Sequence, residues 1–471
     1  MKKTEYDILV VGGGPAGMIT ATAAKAYHTD KSIAVIRKNK DAQVPCAIPY
    51  VVGGRLGSEK NMIPTQMVTK EGVDLIFDEI AEVDFYKKEV KSADGKVYGY
   101  DKLVLATGSL PNVPPMEGID AKNVFTVKKE RKSIDDLKEK IEGVKKVVIV
   151  GTGFIGVEIA MEFIKEDKDV TLIGKEPNIL RQAFDEEFVK EGEEIIVKSG
   201  IDLKNSSNVK RILTDENDNA TGVELDNGEK IYGDVVIMAA GYHPNVALAK
   251  KAGLRIGKKG GIWVDEYMRT EAEDVFAVGD CASKQHFLTR KTIGLMLAST
   301  STAEARVAAI SLYKIEYIKG FSGTISIFST VIGDRAFASA GVTENEAHDE
   351  NIDVLTATFE GIDKHPGSLE NTHKQVVKLI ATRHNGTIIG GQISGGESIG
   401  EMINTLGLII ENRMSVSSLI GLQIATHPLL TAPPTAYPII KAAEMIEHKL
   451  YGQRGLSFFK NETKQEVLEM V

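Results

Sequence analysis

Two glycine-rich turns, each between an apolar run and a helical stretch, constrain the fold of this chain most strongly. The first, GGGPAG at residues 12–17, follows the apolar run 6–11 and precedes an alanine-rich stretch that ends near residue 27. In such a unit Gly12 permits the tight turn, Gly14 lets the backbone approach a pyrophosphate, and Gly17 lets helix and strand pack closely. The helix N-terminus then holds the phosphates.

A second unit of the same kind begins about 140 residues later. The turn GTGFIG at residues 151–156 follows the apolar run 147–150, and it places Gly151, Gly153 and Gly156 at the corresponding positions. One such fingerprint is weak evidence, but two, each preceded by a strand, predict two dinucleotide-binding domains of α/β class.

The residues that follow the second strand of each unit depart from the usual pattern. An acidic residue is expected there to bind the nucleotide ribose. The strand predicted at 32–36 is followed by Arg37, so the ribose contact is made differently or the strand is offset by one or two residues. The strand predicted at 169–173 is followed by Gly174 and Lys175. Because Gly174 cannot repel a 2′-phosphate and Lys175 can attract one, we predict that NADPH is accepted, alone or beside NADH.

Composition narrows the class of protein. The 471 residues suggest about three domains, and 42% hydrophobic and 26% charged residues are ordinary for a globular enzyme. A net charge of −9 gives no reason to expect nucleic acid or an anionic membrane as partner. No apolar run approaches the ~18 residues of a membrane span. The first strand starts too early to leave room for a signal peptide. We therefore predict a cytoplasmic protein.

The segment VPCAIPY at residues 44–50 contains one of only two cysteines. Cys46 and Cys281 lie 235 residues apart, which excludes a disulfide framework and a thiolate zinc cluster. Proline is tolerated in the first turn of a helix, so Pro45 and Pro49 are consistent with Cys46 lying at a helix N-terminus. There the helix would favour the thiolate. A buried, inert cysteine near a turn is the alternative.

Further strand ends carry turns of small residues. They are Ala106, Thr107 and Gly108 after the strand ending at 105, Gly241 after the strand at 234–238, and Gly279 with Asp280 after the strand at 275–278. Asp280 would offer a carboxylate at the mouth of the sheet, where ligands bind in an open α/β fold, or would cap the next helix.

The chain changes character after about residue 323. We predict one long helix at 290–318, then strands at 324–330, 374–381 and 387–393 and helices at 398–412 and 435–450, an α+β module. The predicted domains are a discontinuous first nucleotide domain (1–113 and 246–322), a second (114–245), the module (323–452) and a polar tail (453–471).

Taken together, these motifs resemble the FAD-dependent pyridine nucleotide–disulfide oxidoreductases, from residue 6 to about residue 450. The single-cysteine segment is most similar to coenzyme A disulfide and persulfide or polysulfide reductases, with NADH oxidases and peroxidases as close relatives. The resemblance implies FAD, NADH or NADPH, bound coenzyme A, and a homodimer whose C-terminal module completes the partner's active site. The implied catalytic residues are Cys46, His365 and His427. The implied cofactor-binding residues are Gly12, Gly14, Pro15, Ala16, Gly17, Arg37, Ala106, Thr107, Gly108, Gly151, Gly153, Phe154, Ile155, Gly156, Glu158, Lys175, Gly241, Gly279 and Asp280.

Several residues depart from the family pattern. The dithiol members have two cysteines, but Asp41 and Val51 stand on either side of Cys46, so no internal disulfide forms there. Pro15 occupies the position of the histidine that donates a proton to peroxide in oxidases and peroxidases. Ala432 replaces the glutamate that pairs with the dithiol reductases' histidine. His365 and His427 are therefore candidate acids or merely solvent-facing residues.

The sequence does not identify the electron acceptor. Lys25 and Lys70 are weak candidates for coenzyme A phosphate contacts, and Cys281 is expected to pack near FAD rather than act as a resolving thiol. The expected activity is NAD(P)H-dependent reduction of a small disulfide, persulfide or polysulfide through Cys46. The alternatives are an NADH oxidase that reduces O₂ and a flavoprotein redox sensor.

Overall fold

The computed structural model describes residues 4–459, with side chains to residue 452. The chain divides into two compact units. The first contains residues up to 177 together with 200–324, and the second contains 178–199 together with 325 onward. Both predicted nucleotide-binding domains lie in the first unit except for residues 178–199, which belong to the second. The division into three domains stays a prediction.

The strands and helices are numbered in chain order. The strands are β1 (Thr4–Val11), β2 (Ile33–Arg37), β3 (Asp74–Phe77), β4 (Ile80–Asp84), β5 (Glu89–Ser92), β6 (Val97–Leu105), β7 (Ser109–Pro111), β8 (Val124–Thr126), β9 (Lys146–Val150), β10 (Asp169–Ile173), β11 (Asp202–Lys204), β12 (Val209–Thr214), β13 (Ala220–Leu225), β14 (Lys230–Tyr232), β15 (Val235–Met238), β16 (Tyr242–Pro244), β17 (Val275–Ala277), β18 (Lys284–Gln285), β19 (Thr292–Ile293), β20 (Ile327–Ile332), β21 (Arg335–Gly341), β22 (Val354–Ile362), β23 (Lys374–Thr382) and β24 (Ile388–Gly395). The helices are α1 (Pro15–Tyr27), α2 (Ile48–Val52), α3 (Gln66–Thr69), α4 (Arg131–Ile141), α5 (Phe154–Ile164), α6 (Glu186–Lys198), α7 (Ala247–Lys251), α8 (Ala298–Ile310), α9 (Glu344–Asp349), α10 (Ile399–Glu411), α11 (Val416–Ile420) and α12 (Pro438–Phe459).

The first sheet of the first unit has the strand order β3-β2-β1-β6-β5-β4, and β17 pairs with β6. Strands β1, β2, β3, β6 and β17 run parallel, and every residue of β2 is buried. Continuous apolar runs of this kind are expected where helices cover both faces of a parallel sheet. Strands β5 and β6 pair antiparallel around a turn at Asp94 and Gly95.

The second sheet repeats this arrangement with the order β11-β10-β9-β15-β8, all parallel. Helix α5 connects β9 to β10 as α1 connects β1 to β2. An antiparallel sheet, β12-β13-β14, adds its own apolar side chains to the core of this half. The carboxyl ends of parallel strands meet at one edge of each sheet, which is where ligands bind in such folds.

The second unit is built on one antiparallel sheet, β20-β21-β24-β23-β22, as expected for an α+β module. Its core strand β24 is buried along its whole length, and helices α10 and α12 pack on the sheet. Helix α6 belongs here too, although the sequence places it between β10 and β11.

Two predicted helices differ from the structure. The stretch 290–318 is helical only over α8, where buried residues such as Ala305, Ala308 and Ala309 accompany its packing against α1. The last helix, α12, starts at Pro438 and runs to Phe459, beyond the predicted end at 450. The predicted polar tail therefore begins inside a helix, and residues 460–471 lie outside the described residues. Among residues 4–459, no helix is long and apolar enough to cross a membrane.

Candidate active site

The first glycine turn has the close backbone packing that its sequence predicts. Gly12 has φ of 116°, and a Cβ there would lie 2.1 Å from the carbonyl oxygen of Ala106. A Cβ on Gly17 would lie 1.9 Å from the carbonyl oxygen of Gly12, so the helix can pack this closely on the turn only because residue 17 is a glycine. By contrast, a Cβ on Gly14 would meet nothing within 4 Å. That open space borders the N-terminus of α1, where Pro15 and Ala16 begin the helix.

The second turn repeats this geometry almost atom for atom. Gly151 has φ of 126°, with its hypothetical Cβ 2.2 Å from the carbonyl oxygen of Ala239, and Gly156 would meet the carbonyl oxygen of Gly151 at 1.9 Å. Gly153 again faces open space and precedes α5, which starts with Phe154 and Ile155. Each turn thus leaves a backbone cradle at a helix N-terminus, which fits a pyrophosphate.

Cys46 is exposed and lies in a 3₁₀ turn, Pro45–Ala47, that leads into the five-residue helix α2. The prediction that a helix N-terminus favours its thiolate is wrong for this structure. Burial of the sulfur raises the pKa of the Cys46 thiol, and the negative charge of Glu158 raises it further. The positive charge of Lys129 acts in the opposite direction but does not outweigh them. Burial is the largest cause, and the helix that follows the cysteine has only five residues.

Although partial burial of its sulfur raises its pKa, Cys46 is exposed, which contradicts the alternative of a buried cysteine, and the second cysteine has the opposite environment. Cys281 is fully buried, with its Sγ 3.2 Å from the carbonyl oxygen of Val278, and burial raises its pKa. Both cysteines are free. Cys281 thus has the packing role expected of it, and Cys46 is the thiol that a solute can reach.

Asp280 lies in the 3₁₀ turn Gly279–Cys281 at the end of β17 and is held by two side chains. Lys129 Nζ lies 2.9 Å from its Oδ2, and the Ser109 hydroxyl donates to the same oxygen at 2.7 Å. Burial acts to raise the pKa of Asp280, but the ion pair with Lys129 and these hydrogen bonds outweigh it and lower the pKa. An ionised carboxylate is therefore fixed close to Cys46, on whose thiol it acts electrostatically.

Lys129 was missed by the sequence reasoning. It lies 151 residues before Asp280 in a segment without a motif, and its ammonium sits 4.9 Å from the ring centre of Tyr242. The turn of small residues that begins at Ala106 is held by a hydrogen bond, in which the Thr107 hydroxyl donates to the carbonyl oxygen of Asn245 at 2.6 Å. Gly108 and Gly241 both take positive φ, 72° and 85°.

A salt bridge connects the cysteine segment to the second nucleotide-binding half. Arg55 Nε and Nη2 donate to the two carboxylate oxygens of Glu162 at 2.9 and 2.8 Å. Arg55 also lies over the ring of Tyr50, four residues after Cys46. Helix α2 packs on α5, which contains both Glu158 and Glu162. The loop that presents Cys46 is therefore positioned by the helix that begins at the second glycine turn.

Arg37, Gly174 and Lys175 lie at the ends of the strands where a ribose-binding acid was expected. Strand β2 lies one residue later than predicted, so that Arg37 is its last residue, and Arg37 is only 4% exposed. Gly174 directly follows β10, and a Cβ there would lie 2.3 Å from the Thr152 hydroxyl. The side chain of Lys175 is 76% exposed, with Glu176 3.9 Å away. Lys175 is thus free to reach a ligand at that edge.

The two candidate histidines of the second unit share one loop cluster. The backbone N–H of His365 donates to the carbonyl oxygen of Pro428, and His365 Nδ1 lies 3.1 Å from the carbonyl oxygen of Thr431. His427 is exposed, and its Nδ1 accepts from the N–H of Leu429 at 3.2 Å. A neutral His427 therefore carries its proton on Nε2, whereas a neutral His365 carries it on Nδ1.

A third histidine of this unit was also missed. His373 Nδ1 lies 2.9 Å from Oδ2 of buried Asp363, and the backbone N–H of His373 donates to Oδ1 at 2.7 Å. The pair joins the ends of β22 and β23, where the sequence shows no motif. Lys25 does not have the free ammonium expected of a coenzyme A contact, because its Nζ is 2.8 and 2.9 Å from the carbonyl oxygens of Thr29 and Lys31. Lys70 is exposed, and its role stays a prediction.

The two cradles and the accessible thiol define an oxidoreductase that binds two dinucleotides. Models of known families agree with this class. One described as pyridine nucleotide-disulphide oxidoreductase matches residues 6–305, and one described as the dimerisation domain of the same family matches residues 327–437. The chain belongs to the pyridine nucleotide-disulphide oxidoreductase family, whose members use FAD and NAD(P)H.

Three relatives illustrate the range of the family around this chain. The CoA-dependent NAD(P)H sulfur oxidoreductase of Pyrococcus abyssi is 34% identical over 420 residues, which cover 87% of this chain and 92% of that protein. The NADH oxidase of Methanocaldococcus jannaschii is 31% identical over 461 residues, 94% of this chain and 99% of that protein. The structure of a NAD-dependent persulfide reductase from A. fulgidus superposes with a TM-score of 0.87 at 30% identity, covering 95% of this chain and 84% of that one.

The residues of the first cradle fit FAD. Gly14 leaves open space at the start of a 13-residue helix, and the buried Arg37 beside it has two side-chain nitrogens without a hydrogen-bond partner in the described protein. A negatively charged dinucleotide would satisfy both features. The second cradle, which carries Glu158 and Lys175, then fits the nicotinamide nucleotide.

Proposed function

We propose that this protein is an NAD(P)H-dependent reductase of sulfur–sulfur bonds, with the disulfide or persulfide of coenzyme A as its substrate class. The observation that carries the proposal is Cys46, an accessible thiol on which Asp280 and the Glu158 of helix α5 act electrostatically, with no second cysteine able to pair with it. Similarity to a CoA-dependent sulfur oxidoreductase and to a persulfide reductase supports the same substrate class.

A single thiol can reduce a disulfide only through a mixed disulfide with part of the substrate. The Cys46 thiolate attacks one sulfur of the substrate, a new sulfur–sulfur bond forms on Sγ, and the other sulfur leaves as a thiolate. Bound FAD supplies the chemistry that accepts hydride from NAD(P)H and returns two electrons to this mixed disulfide. Uptake of these electrons frees the second thiolate and restores that of Cys46.

The surrounding residues set the charge at this sulfur. Burial and the charges of Glu158 and Asp280 raise the pKa of the Cys46 thiol, and the charge of Lys129 acts in the opposite direction. A raised pKa also makes the thiolate a stronger nucleophile once it forms. The segment that holds it is fixed by the Arg55–Glu162 salt bridge.

The leaving thiolate requires a proton, and two loop histidines are candidates to supply it. The neutral ring of His427 carries its proton on Nε2, because Nδ1 accepts from Leu429, and the residue is exposed. In the proposed homodimer, His427 of the partner subunit would donate that proton from its imidazolium form and return to the neutral ring. His365, whose Nδ1 is directed at the carbonyl oxygen of Thr431, would accept one on Nε2.

The test is a Cys46→Ser variant assayed with CoA disulfide, CoA persulfide, polysulfide and O₂, using both nicotinamide nucleotides. We expect the variant to keep FAD and to lose turnover of all sulfur acceptors, because serine cannot form the mixed disulfide. Slow oxidation of NAD(P)H by O₂ should survive. Cys281→Ser is the control and should keep sulfur turnover. Unchanged turnover in Cys46→Ser would contradict the proposal.

Reduction of O₂ is the second candidate function, favoured by the similarity to a NADH oxidase over 99% of that protein's length. The first residue of α1 argues against it, because Pro15 has no side-chain proton to donate to a peroxide. Oxygen uptake that matches NAD(P)H consumption without any sulfur acceptor, and that survives in Cys46→Ser, would favour the oxidase.

A further inference from the structure

Arg37 carries a buried positive charge that the described residues leave without a full set of hydrogen-bond acceptors. It is 4% exposed, yet Nε and Nη1 have no hydrogen-bond partner in the part of the chain that the structure describes. Only Nη2 donates, to the carbonyl oxygen of Lys40 at 2.7 Å. Burial lowers the pKa of the Arg37 guanidinium and nearby Asp41 partly offsets this effect. Buried charged groups are normally paired, so a ligand is expected to complete this one.

The position of Arg37 indicates which ligand. It ends β2, one residue after Ile36, whose carbonyl oxygen accepts from the N–H of Gly12. Its side chain runs along Gly13, where a Cβ would lie 2.4 Å from Arg37 Cδ. The guanidinium is also held over the ring of Phe77, 5.3 Å from its centre. Arg37 therefore stands beside the first cradle, where an acid in this fold accepts hydrogen bonds from a nucleotide ribose.

We infer that Arg37 binds the adenosine ribose of FAD by donating hydrogen bonds from Nε and Nη1 to its hydroxyl oxygens, so that the ribose subsite is cationic instead of acidic. The ribose hydroxyls accept hydrogen bonds from Arg37 in this arrangement, whereas they would donate hydrogen bonds to a carboxylate at the same position. A cationic subsite has a consequence that an acidic one lacks, because it admits a negative charge on the ribose. The inference rests on FAD occupying the first cradle, as the proposed function requires.

The first test measures FAD binding to flavin-free protein prepared from the full-length holoenzyme. We expect Arg37→Met to raise the FAD dissociation constant by about tenfold or more, measured by quenching of flavin fluorescence. Lys38→Ala is the matched control and should bind FAD like the wild type, since Lys38 is exposed and pairs with Glu79. Wild-type affinity in Arg37→Met would overturn the inference. A wild-type protein that binds no flavin would instead overturn the proposed function.

The second test can be decided on the wild-type protein. Adenosine 5′-monophosphate and adenosine 2′,5′-bisphosphate are compared as competitors of FAD rebinding to the flavin-free wild type. A cationic subsite predicts that the 2′-phosphate competes at least as well as the monophosphate, and Arg37→Glu should reverse this order. Competition by the bisphosphate that is tenfold weaker in the wild type would show that no cation faces the ribose, and would overturn the inference.

Discussion

The thiol of Cys46 shows how far the chemistry of one residue depends on distant parts of the chain. Its own segment offers two prolines and a short helix, which suggested a stabilised thiolate. The charges that act on it come from Glu158, Lys129 and Asp280, each on a different element. Since Glu158 and Lys129 act in opposite directions, the two residues allow the electrostatic account to be tested from both sides.

Neutralising Glu158 should make Cys46 easier to ionise. Removing the negative charge in Glu158→Gln favours the thiolate, so the midpoint of its alkylation by iodoacetamide should move to lower pH. Lys129→Met should move the midpoint to higher pH. Glu166→Gln makes the same charge change two helical turns further along the chain and should leave the midpoint in place. A midpoint unmoved by both Glu158→Gln and Lys129→Met would show that burial alone sets this pKa.

The two residues that follow strand β10, Gly174 and Lys175, are expected to set the preference of the enzyme between NADH and NADPH. No acid stands at Gly174, and Lys175 is exposed at the strand end. We predict that NADPH is a substrate and that Lys175→Ala lowers its kcat/KM by about tenfold, or ~1.4 kcal/mol, through the lost contact with the 2′-phosphate. The value for NADH, which lacks this phosphate, serves as the control and should not change. A hundredfold preference of the wild type for NADH would contradict the prediction.

A buried lysine is one of the side chains that fix helix α6 to the sheet of the second unit. Lys378 on β23 lies 3.0 Å from Asp185, 2.6 Å from Glu187 and 2.7 Å from Glu344. Burial alone would lower the pKa of Lys378, but these carboxylates outweigh it and raise the pKa. Asp185, which directly precedes α6, is almost fully buried and also accepts from Gln392.

Removing this cation should destabilise the second unit. Lys378→Met leaves the carboxylate of Asp185 buried without its positive partner, at a cost of about 3 kcal/mol. Lys374→Met, on the same strand, removes an exposed pair with Glu360 and should cost under about 1 kcal/mol. Urea unfolding of both holoenzyme variants measures the difference. Equal midpoints for the two variants would show that the buried network contributes nothing to stability.

Local features were predictable from the sequence, and long-range features were not. The two glycine turns were predicted because the backbone angle at Gly12 and the close approach at Gly17 are local demands that only glycine meets. The pairing of Lys129 with Asp280 joins residues 151 positions apart and has no pattern in the sequence. The placement of α6 in the second unit depends on contacts between side chains from three segments, which no periodicity predicts.

At the scale of the whole molecule, the second unit presents apolar side chains that its own fold does not cover. Leu429 and Leu430 are 56% and 68% exposed in the turn that contains His427, and Leu408, Ile420 and Met445 are also exposed. Exposed apolar residues of this size commonly mark an interface. The match of residues 327–437 to a dimerisation domain supports a second copy of this chain as the partner. A cytoplasmic location stays a prediction.

A homodimer that shares its active sites should show complementation between two inactive variants. If Cys46 of one subunit works with His427 of the other, Cys46→Ser and His427→Ala homodimers are both impaired, whereas each mixed dimer contains one site with both residues intact. Random exchange of subunits yields about half mixed dimers, so about a quarter of wild-type sulfur turnover should return on mixing. If both residues of a site came from one subunit, mixing would restore nothing. Light scattering on the mixture checks that dimers persist, and a fully active monomer would contradict the shared site.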